Sequence, residues 1–323
     1  MKRIGVFTSG GDSPGMNAAV RAVVRTAIAN NIETFAIYEG YKGLIEGNIQ
    51  PLSSKEVSNI IQRGGTILKS SRSKKFETVA GRKTAAENIK KHQLDGIIAI
   101  GGNGTFTGAL IFSKEHNIPM VGIPGTIDND LFGTDYTIGY DTAINTVVEA
   151  VDKIRDTASS HNRLFIIEVM GRDAGFIALR SGISVGADAI LIPETHTYIN
   201  QLIKKLEQGT KKQKSSMIVI VAEGDDAGGA YEVAKKVKEK CPNYDARVTI
   251  LGHIQRGGSP TALDRVIASR MGNAAVEALI NNKTNVMIGI VNNKIAYTPF
   301  QKSIKHNNKI NIDLLNLAET LSY

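Results

Sequence analysis

Short apolar runs alternate with amphipathic segments along nearly the whole chain. The apolar runs predict β-strands at 2–8, 33–38, 95–100, 119–123, 163–169, 187–192, 216–222, 247–251 and 286–291. Hydrophobic positions that recur with a helical period predict helices at 15–30, 54–62, 81–92, 106–117, 139–158, 173–185, 198–209, 229–240, 261–282 and 311–321. The helical pattern is clearest in 139–158, where one face carries Ile144, Val147, Val148, Val151 and Ile154.

This alternation predicts an α/β protein whose parallel sheets carry helices on both faces. In such a fold, ligands bind beyond the carboxyl ends of the strands. A chain of 323 residues is long enough for two domains of ordinary size. Because the sequence has no internal repeat, low-complexity segment or linker rich in Pro or Ser, a domain boundary would pass through helices and tight loops.

Composition indicates the cellular compartment of the protein and whether it spans a membrane. Hydrophobic residues make up 42% of the chain, yet no apolar stretch approaches the length of a membrane span. Residues 1–8 have a strand pattern and lack the apolar region and cleavage site of a signal peptide. Cys241 is the only cysteine, which excludes an internal disulfide and fits a reducing compartment. We therefore expect a cytoplasmic protein with no membrane partner.

The chain is basic, with a formal net charge of +8 and an isoelectric point of about 9.4. Such a balance suits either a nucleic acid or a polyanionic small molecule. The basic residues are scattered, and aromatic residues make up only 6% of the chain, so the aromatic and basic signature of an RNA-binding sheet is missing. The sequence therefore favours a small polyanion and no nucleic acid.

Glycine-rich loops at 8–17, 62–72 and 101–108 can offer backbone N–H groups to a phosphate. The first loop lacks the ending of a Walker A loop, and it could equally be a plain strand-to-helix turn. The second could be an ordinary surface loop. The third matches the dinucleotide fingerprint only loosely, because its last glycine is one place late. A nucleotide-phosphate loop is the favoured interpretation of the third, with a nicotinamide site as the alternative.

An acidic loop at 122–130 follows the predicted strand at 119–123. It places Asp128 and Asp130 two residues apart, beside the hydroxyl of Thr126. Residues two apart in an extended loop face the same side. One carboxylate could therefore act as a general base while the other lies near a metal, although turn chemistry alone can also explain the acidic residues.

Cationic side chains stand at the ends of several predicted strands, where glycines accompany most of them. Each one alone is typical of a protein surface, but together they suit one or two phosphate dianions held by bidentate contacts. The set comprises Arg163, Arg172, Arg247, His253 and Arg256.

With these motifs in order, the chain resembles the bacterial ATP-dependent 6-phosphofructokinases over essentially its whole length. The matching motifs are Gly10–Asn17, Arg63–Thr66, Pro124–Asp130, Met170–Arg172 and Gly252–Pro260. The resemblance implies two three-layer αβα Rossmann-like domains with mostly parallel sheets, the phosphofructokinase fold, and an active site in the cleft between them. The ATP-binding domain would comprise 1–138 and 252–305, and the fructose 6-phosphate-binding domain 139–251 and 306–323.

The activity implied is magnesium-dependent transfer of the ATP γ-phosphoryl group to the 1-hydroxyl of fructose 6-phosphate, in a homotetramer. The resemblance makes Asp128 the general base, with Thr126, Arg172, Asp130 and Gly11 as further catalytic residues. The residues implied at the sugar phosphate are Thr126, Ile127, Asp128, Arg163, Met170, Gly171, Arg172, Glu223, Arg247, His253 and Arg256, of which Arg163 and Arg247 would reach the sugar of a neighbouring subunit.

The resemblance also implies an ATP site lined by Gly11, Tyr41, Arg72, Ser73, Gly102, Asn103, Gly104, Thr105 and Gly108. Glycine at 104 points to ATP, because diphosphate-using relatives carry an aspartate there that crowds the nucleotide. Asn103 departs from the aspartate that is usual in the family and that helps to hold magnesium. We therefore expect Asn103 and Asp130 to hold the metal with weaker affinity. An impaired enzyme is the alternative at this position.

An effector pocket for ADP or phosphoenolpyruvate is implied as well. Asp188 and Ser54 depart from the glutamate and arginine usual in the family, so we expect a blunted response. The residues implied at the pocket are Arg21, Arg25, Arg155, Gly186, Asp188, Lys212 and Lys214. A diphosphate-dependent kinase, a silent nucleotide-sensing subunit and a nicotinamide-linked dehydrogenase are the competing hypotheses for the whole chain.

Overall fold

The computed structural model describes residues 1–159, 163–212, 214, 216–242 and 244–322. The chain divides into two compact units. The first unit comprises Met1–Ile127, Leu131–Thr142 and Arg256–Asn308. The second comprises Asp128–Asp130, Ala143–Gln255 and the C-terminal segment from Lys309. The chain therefore passes between the units several times without a linker.

The first unit is built on a seven-stranded sheet in the order β11-β10-β5-β4-β1-β2-β3. Its centre is parallel, and β3 and β11 pair antiparallel at the two edges. The strands are β1 (Arg3–Thr8), β2 (Glu33–Ile37), β3 (Ile49–Pro51), β4 (Gly96–Gly101), β5 (Met120–Pro124), β10 (Val286–Val291) and β11 (Lys294–Pro299).

Helices cover both faces of this sheet. Successive residues of a strand point to opposite faces, so Val6 and Phe7 of β1 enter different cores. One core includes α1 (Met16–Ala29) and α9 (Ala262–Ile280), which pack together. The other face carries α2 (Gly40–Glu46), α3 (Val79–Lys91), α4 (Asn103–His116) and α10 (Phe300–Lys305).

The second unit has a four-stranded, fully parallel sheet in the order β7-β8-β6-β9. Its strands are β6 (Leu164–Val169), β7 (Ala189–Leu191), β8 (Met217–Ala222) and β9 (Ala246–Ile250). One face is covered by α7 (Ile199–Lys211) and α8 (Gly229–Lys240). On the other face, α6 (Phe176–Ser184) packs on β8 and on α11 (Ile312–Leu321), while α5 (Tyr140–Ser159) joins the two units. The predicted α/β class with mostly parallel sheets is confirmed.

The predicted helix at 54–62 is wrong, because this segment forms a series of turns. The carboxylate of Glu56 accepts from the backbone N–H and hydroxyl of Ser53, as at a helix start. Asn59 then takes a left-handed conformation with φ of 55°, which stops a helix from propagating. A second difference lies at the predicted helix 106–117, which begins earlier, at Asn103.

Several elements were not predicted, among them β11, which forms a hairpin with the predicted strand β10. The hairpin turns at Asn292 and Asn293, which both have positive φ, as a two-residue hairpin turn requires. The adjacent asparagines at 292 and 293 were the sequence feature that could have predicted this turn. β3 is only three residues long and ends in a proline, so its sequence carries little strand pattern. Within the described part of the chain, every helix is too short or too polar to cross a lipid bilayer.

Candidate functional site

In the first unit, three predicted loops leave the same edge of the sheet and are fastened to one another. They follow β1, β4 and β5, which are parallel neighbours. The N–H of Ser9 donates to the carbonyl of Ile100 at 2.9 Å, and the N–H of Gly125 donates to the carbonyl of Gly101 at 3.0 Å. These bonds give the loops a fixed arrangement at the carboxyl ends of the strands, where open α/β sheets bind ligands.

The loop after β4 leads directly into the first turn of α4. A Cβ on Gly101 would lie 2.4 Å from Thr105 Oγ1 and 2.5 Å from the Ser9 carbonyl oxygen, so only glycine fits. Gly104 lies in the first turn, and no heavy atom beyond its chain neighbours and helix backbone lies within 4 Å of its Cβ position among the described residues. The N-cap residue of α4 is Gly102, which has no side chain to cap the helix start. The open N-terminus of α4 is therefore suited to a phosphate group.

Asn103 presents the oxygen expected at the metal. Its Oδ1 is buried and has no hydrogen-bond partner among the described residues. A buried acceptor without a partner is costly unless a ligand or ion completes it. Amide and carboxylate oxygens are ligands that Mg²⁺ accepts, and Asp130 is the predicted carboxylate. The free oxygen of Asn103 therefore fits a magnesium ion bound together with the nucleotide phosphates, whereas Asp130 belongs to the second unit and stays a predicted ligand.

Tyr41 and Gly108, both predicted at the ATP site, pack against each other. A Cβ on Gly108 would lie 3.0–3.1 Å from the Tyr41 ring. The Tyr41 hydroxyl donates to the carbonyl of Thr105 at 2.5 Å, and its ring stacks on Phe76 with centroids 3.9 Å apart. Burial raises the pKa of Tyr41. Tyr41 thus supports the first turn of α4 from within the core.

Asn17 fastens the Arg63–Thr66 loop to the start of α1, a role that the sequence did not reveal. Its side-chain nitrogen donates to the carbonyls of Arg63 and Gly64 at 3.1 and 3.2 Å, and its oxygen accepts from the N–H of Ile67 at 2.8 Å. The Gly-Met-Asn motif was visible, but the partner of its asparagine is set by the tertiary fold.

Arg256 lies against the loop after β1. Its guanidinium donates to the Asp12 carboxylate at 3.0 Å, and the Cβ position of Gly11 lies only 2.2 Å from the Arg256 Nη2. A side chain at position 11 would therefore displace the guanidinium of Arg256 from this place. Of the other residues predicted here, Arg72 is exposed, and Ser73 caps a 3₁₀ turn by accepting from the N–H of Phe76.

In the second unit, the acidic tripeptide Asp128–Asp130 has its middle residue in a left-handed turn, with φ of 55° at Asn129. Asp128 and Asp130 are both half-buried. Burial raises the pKa of the Asp130 carboxyl, whereas a hydrogen bond from its own backbone N–H and the charge of Arg172 act in the opposite direction. Arg172 is thus close enough to influence Asp130. Thr126 and Ile127, by contrast, belong to the first unit, where Thr126 flanks Gly102.

The predicted sugar-phosphate residues of the second unit fall at opposite edges of its sheet. Met170, Gly171 and Arg172 follow the carboxyl end of β6, while Glu223 follows β8. Arg163 precedes β6 and Arg247 is the second residue of β9, so both lie at the amino ends of parallel neighbours. A strand of six residues spans roughly 20 Å, which an arginine side chain cannot bridge. Within one chain, Arg163 and Arg247 therefore lie at the edge of the sheet opposite to Arg172, and the contact of these two arginines with the sugar of a neighbouring subunit stays a prediction.

Asp245 connects the two arginines at the amino edge. Its carboxylate lies 2.9 Å from Arg163 Nε and 3.1 Å from Arg247 Nη2. Arg163 and Arg247, which were predicted at a phosphate, are thus paired with a carboxylate that was not predicted from the sequence. His253, at the carboxyl edge, lies exposed in the 3₁₀ turn Gly252–Arg256.

The predicted effector residues fall into two groups. Arg21 and Arg25 lie on α1 in the first unit. In the second unit, Lys214 Nζ lies 2.7 Å from an Asp188 carboxylate oxygen, and Arg155 donates to the carbonyl of Val185, which precedes Gly186. Arg155, Gly186, Asp188 and Lys214 are therefore in neighbouring positions, and Lys212 is exposed nearby in the chain.

Two αβα units of this kind, with glycine loops, an acidic turn and arginines at strand ends, define a phosphoryl-transfer class of α/β protein. A phosphofructokinase family model matches residues 3–279, so the chain belongs to the phosphofructokinase family. It is 56% identical to an ATP-dependent 6-phosphofructokinase 2 of Bacteroides thetaiotaomicron over 322 residues, covering 100% of this chain and 99% of that one.

Two further proteins that are similar to this chain are also phosphofructokinases. An ATP-dependent 6-phosphofructokinase 1 of Thermus thermophilus is 53% identical over 322 residues, covering 100% of both chains. The solved structure of phosphofructokinase from Saccharomyces cerevisiae superposes with a TM-score of 0.90 at 39% identity. That match covers 94% of this chain but only 45% of the longer yeast chain.

Proposed function

We propose that this protein is an ATP-dependent 6-phosphofructokinase, which transfers the γ-phosphoryl group of ATP to the 1-hydroxyl of fructose 6-phosphate in glycolysis. The observation that supports ATP as the donor is the open first turn of α4, where Gly104 leaves space for a nucleotide phosphate. The full-length similarity to relatives named as ATP-dependent enzymes supports the same donor. The ATP-binding residues are Gly11, Tyr41, Arg72, Ser73, Gly102, Asn103, Gly104, Thr105 and Gly108, with Tyr41 acting from the core.

In this proposal Asp128 accepts the proton of the sugar 1-hydroxyl while the oxygen of that hydroxyl attacks the γ-phosphorus. The bond from that phosphorus to the ADP oxygen breaks, and ADP leaves. Arg172 and Thr126 stabilise the charge on the group in transfer, because phosphoryl transfer requires mainly positioning and charge stabilisation from the protein. Gly11 keeps the backbone of the loop after β1 close to the transferred group.

Asn103 and Asp130 would hold magnesium in this proposal, as the buried Oδ1 of Asn103 supports. When bound, the ion neutralises phosphate charge and helps to orient ATP. The carboxylate of Asp130 must be ionised for this role. Burial raises the pKa of the Asp130 carboxyl, and the charge of Arg172 acts in the opposite direction.

The sugar phosphate would be bound by residues from two subunits. Met170, Gly171, Arg172, Glu223, His253 and Arg256 would contact it from one subunit. Arg163 and Arg247 would come from a neighbour, which is supported by their position at the amino edge of the second sheet. β9 is the edge strand of that sheet, and Ile250 on it is 47% exposed, as expected of a surface that a second copy covers.

We further propose a cytoplasmic homotetramer that binds ADP or phosphoenolpyruvate at Arg21, Arg25, Arg155, Gly186, Asp188, Lys212 and Lys214. The ion pair of Lys214 with Asp188 supports a cationic pocket whose charge is partly neutralised before a ligand arrives. A curve of velocity against fructose 6-phosphate, with and without ADP, tests this. An unchanged half-saturation would refute effector control.

The test of the proposed function is a comparison of phosphoryl donors. The purified chain is supplied with fructose 6-phosphate, magnesium and either ATP or diphosphate, and fructose 1,6-bisphosphate is measured. We expect product with ATP only. Gly104→Asp should lose ATP-dependent activity, because a carboxylate would occupy the open space at the start of α4 and repel the nucleotide. Turnover with diphosphate alone, or ATP binding without turnover, would refute the proposal.

A further inference from the structure

The turn after β6 directs three successive backbone N–H groups to side-chain oxygens. The N–H of Met170 donates to Gln255 Oε1 at 3.2 Å. The N–H groups of Gly171 and Arg172 both donate to Glu223 Oε1, at 3.3 and 2.7 Å. Gln255 is fully buried and is itself held by its donation to the carbonyl of Gly252 at 3.1 Å. The turn that carries Arg172 is thus fixed by side chains from two neighbouring segments.

The backbone of Arg172 needs this support. Its φ is 58°, in the left-handed region, which is strained for a residue with a side chain. The next residue after Glu223 also contributes, because a Cβ on Gly224 would lie only 2.1 Å from the Arg172 carbonyl oxygen. Glu223 and Gly224 therefore enclose the Arg172 peptide from one side, the first through hydrogen bonds and the second through its lack of a side chain.

We infer that Glu223 and Gly224 are positioning residues, which act on phosphoryl transfer by holding the backbone of Arg172 in its left-handed conformation. This inference rests on the proposed function, in which Arg172 faces the transferred group. It gives Glu223 a role beyond the contact with the sugar that the family resemblance implies. One oxygen of its carboxylate is used by the turn, and the side chain is exposed, so the second oxygen stays available to a sugar hydroxyl.

The role depends on geometry more than on charge. The two N–H donors meet a single oxygen atom, and an amide oxygen accepts hydrogen bonds as a carboxylate oxygen does. Loss of that acceptor would free the strained turn to relax, which would move the guanidinium away from its place near Asp130. A displacement of about 1 Å at a reacting centre can cost about 10²-fold in rate.

The test is a double-mutant cycle on kcat with Arg172→Ala, Glu223→Ala and the combined variant. We expect a loss of about 10²- to 10³-fold for Arg172→Ala and of about 10- to 100-fold for Glu223→Ala. The combined variant should lie within about twofold of Arg172→Ala, because Glu223 acts through a side chain that is already gone. If the two losses multiply, Glu223 acts independently and the inference is wrong. If Arg172→Ala keeps wild-type kcat, the proposed role of Arg172 fails instead.

Two further variants separate positioning from sugar binding. Gly224→Ala keeps Glu223 but crowds the Arg172 carbonyl, so its kcat should fall as in Glu223→Ala. Glu223→Gln keeps an acceptor oxygen and should recover part of the kcat lost in Glu223→Ala. Glu239→Ala, which removes an exposed glutamate of the same unit, is the matched control and should keep wild-type kcat. A rise in the KM for fructose 6-phosphate in Glu223→Ala, with kcat unchanged in both it and Gly224→Ala, would overturn the inference. Urea unfolding of each variant shows whether a loss of kcat comes from loss of the fold.

Discussion

At the scale of residues, the side chain of Asn103 and the absence of one at Gly104 determine what the first turn of α4 can bind. Asn103 offers an oxygen that is buried and without a partner among the described residues, but it carries no charge. Gly104 beside it leaves open space. In the proposed metal site, the helix start would supply a neutral donor, and the negative charge would come from ATP and from the predicted ligand Asp130.

Asn103→Asp adds a charged oxygen ligand at this position. We expect the magnesium concentration for half-maximal activity to fall, because a carboxylate is a stronger ligand for Mg²⁺ than a neutral amide oxygen. The measurement is a magnesium titration of kcat, with Mn²⁺ binding followed by electron paramagnetic resonance as a readout that does not depend on turnover. An unchanged requirement in both would show that residue 103 does not face the metal.

At the scale of elements, one buried carboxylate joins the starts of two helices. Asp264, in the first turn of α9, accepts from the backbone N–H of Gly139 and from the N–H of Thr142, each at 2.8 Å. Thr142 also donates its hydroxyl to the same carboxylate at 2.5 Å. The start of α5 is therefore anchored to α9 through a group that is completely buried.

This anchor should make stability depend on pH. Burial raises the pKa of Asp264 from 3.8 to about 6, against the hydrogen bonds from Thr142 and Gly139, so the folded state holds a proton that the unfolded state releases at lower pH. The stability that Asp264 contributes is full below its unfolded pKa and is lost as pH rises through its folded pKa. The free energy of unfolding of wild type, minus that of Asp264→Asn, should fall by about 2 to 3 kcal/mol between about pH 4 and pH 7.

Urea unfolding at the two pH values measures this difference, and subtraction of the variant removes the titration of all groups that the two proteins share. A difference that stays constant, or that grows with pH, would contradict a raised pKa at Asp264.

The sequence predicted most strands because each is a dense apolar run, such as Ile218–Val221 in β8, and burial on both faces requires that pattern. It did not predict the turns at 54–62, since a single left-handed Asn59 overrides a helical pattern of apolar residues. The glycine loops were also visible, because a close approach such as that of Gly101 to Thr105 leaves no alternative residue.

Partners across the fold could not be predicted. Asn17 with the Arg63–Thr66 loop, Asp245 with its two arginines, and Gln255 with Met170 depend on which segments the tertiary structure brings together. Residue type and spacing contain no information on these pairs. The same limit explains why Arg163 and Arg247 were grouped with Arg172, although strand direction places them at the opposite edge of the sheet.

At the scale of the whole molecule, the separation of Arg163 and Arg247 from Arg172 leads us to expect an active site that takes residues from two subunits. If one subunit supplies Asp128 and its neighbour supplies Arg247, two inactive variants can complement each other. Asp128→Ser and Arg247→Ala, coexpressed with different affinity tags and purified as hybrids, should recover about a quarter of wild-type activity, because random pairing creates one intact site in half of the pairs. Each variant expressed alone is the control. Hybrids no more active than the sum of the two variants would place both residues in the same subunit's site.

The most direct test of the account is kcat of Asp128→Ser with saturating ATP, magnesium and fructose 6-phosphate. Removal of the general base should lower kcat by about 10²- to 10⁴-fold. Asp152→Ser, which replaces an exposed aspartate of α5, is the matched control and should equal wild type. If Asp128→Ser turns over as fast as wild type, the carboxylate at 128 does not take the sugar proton and the proposed mechanism is wrong.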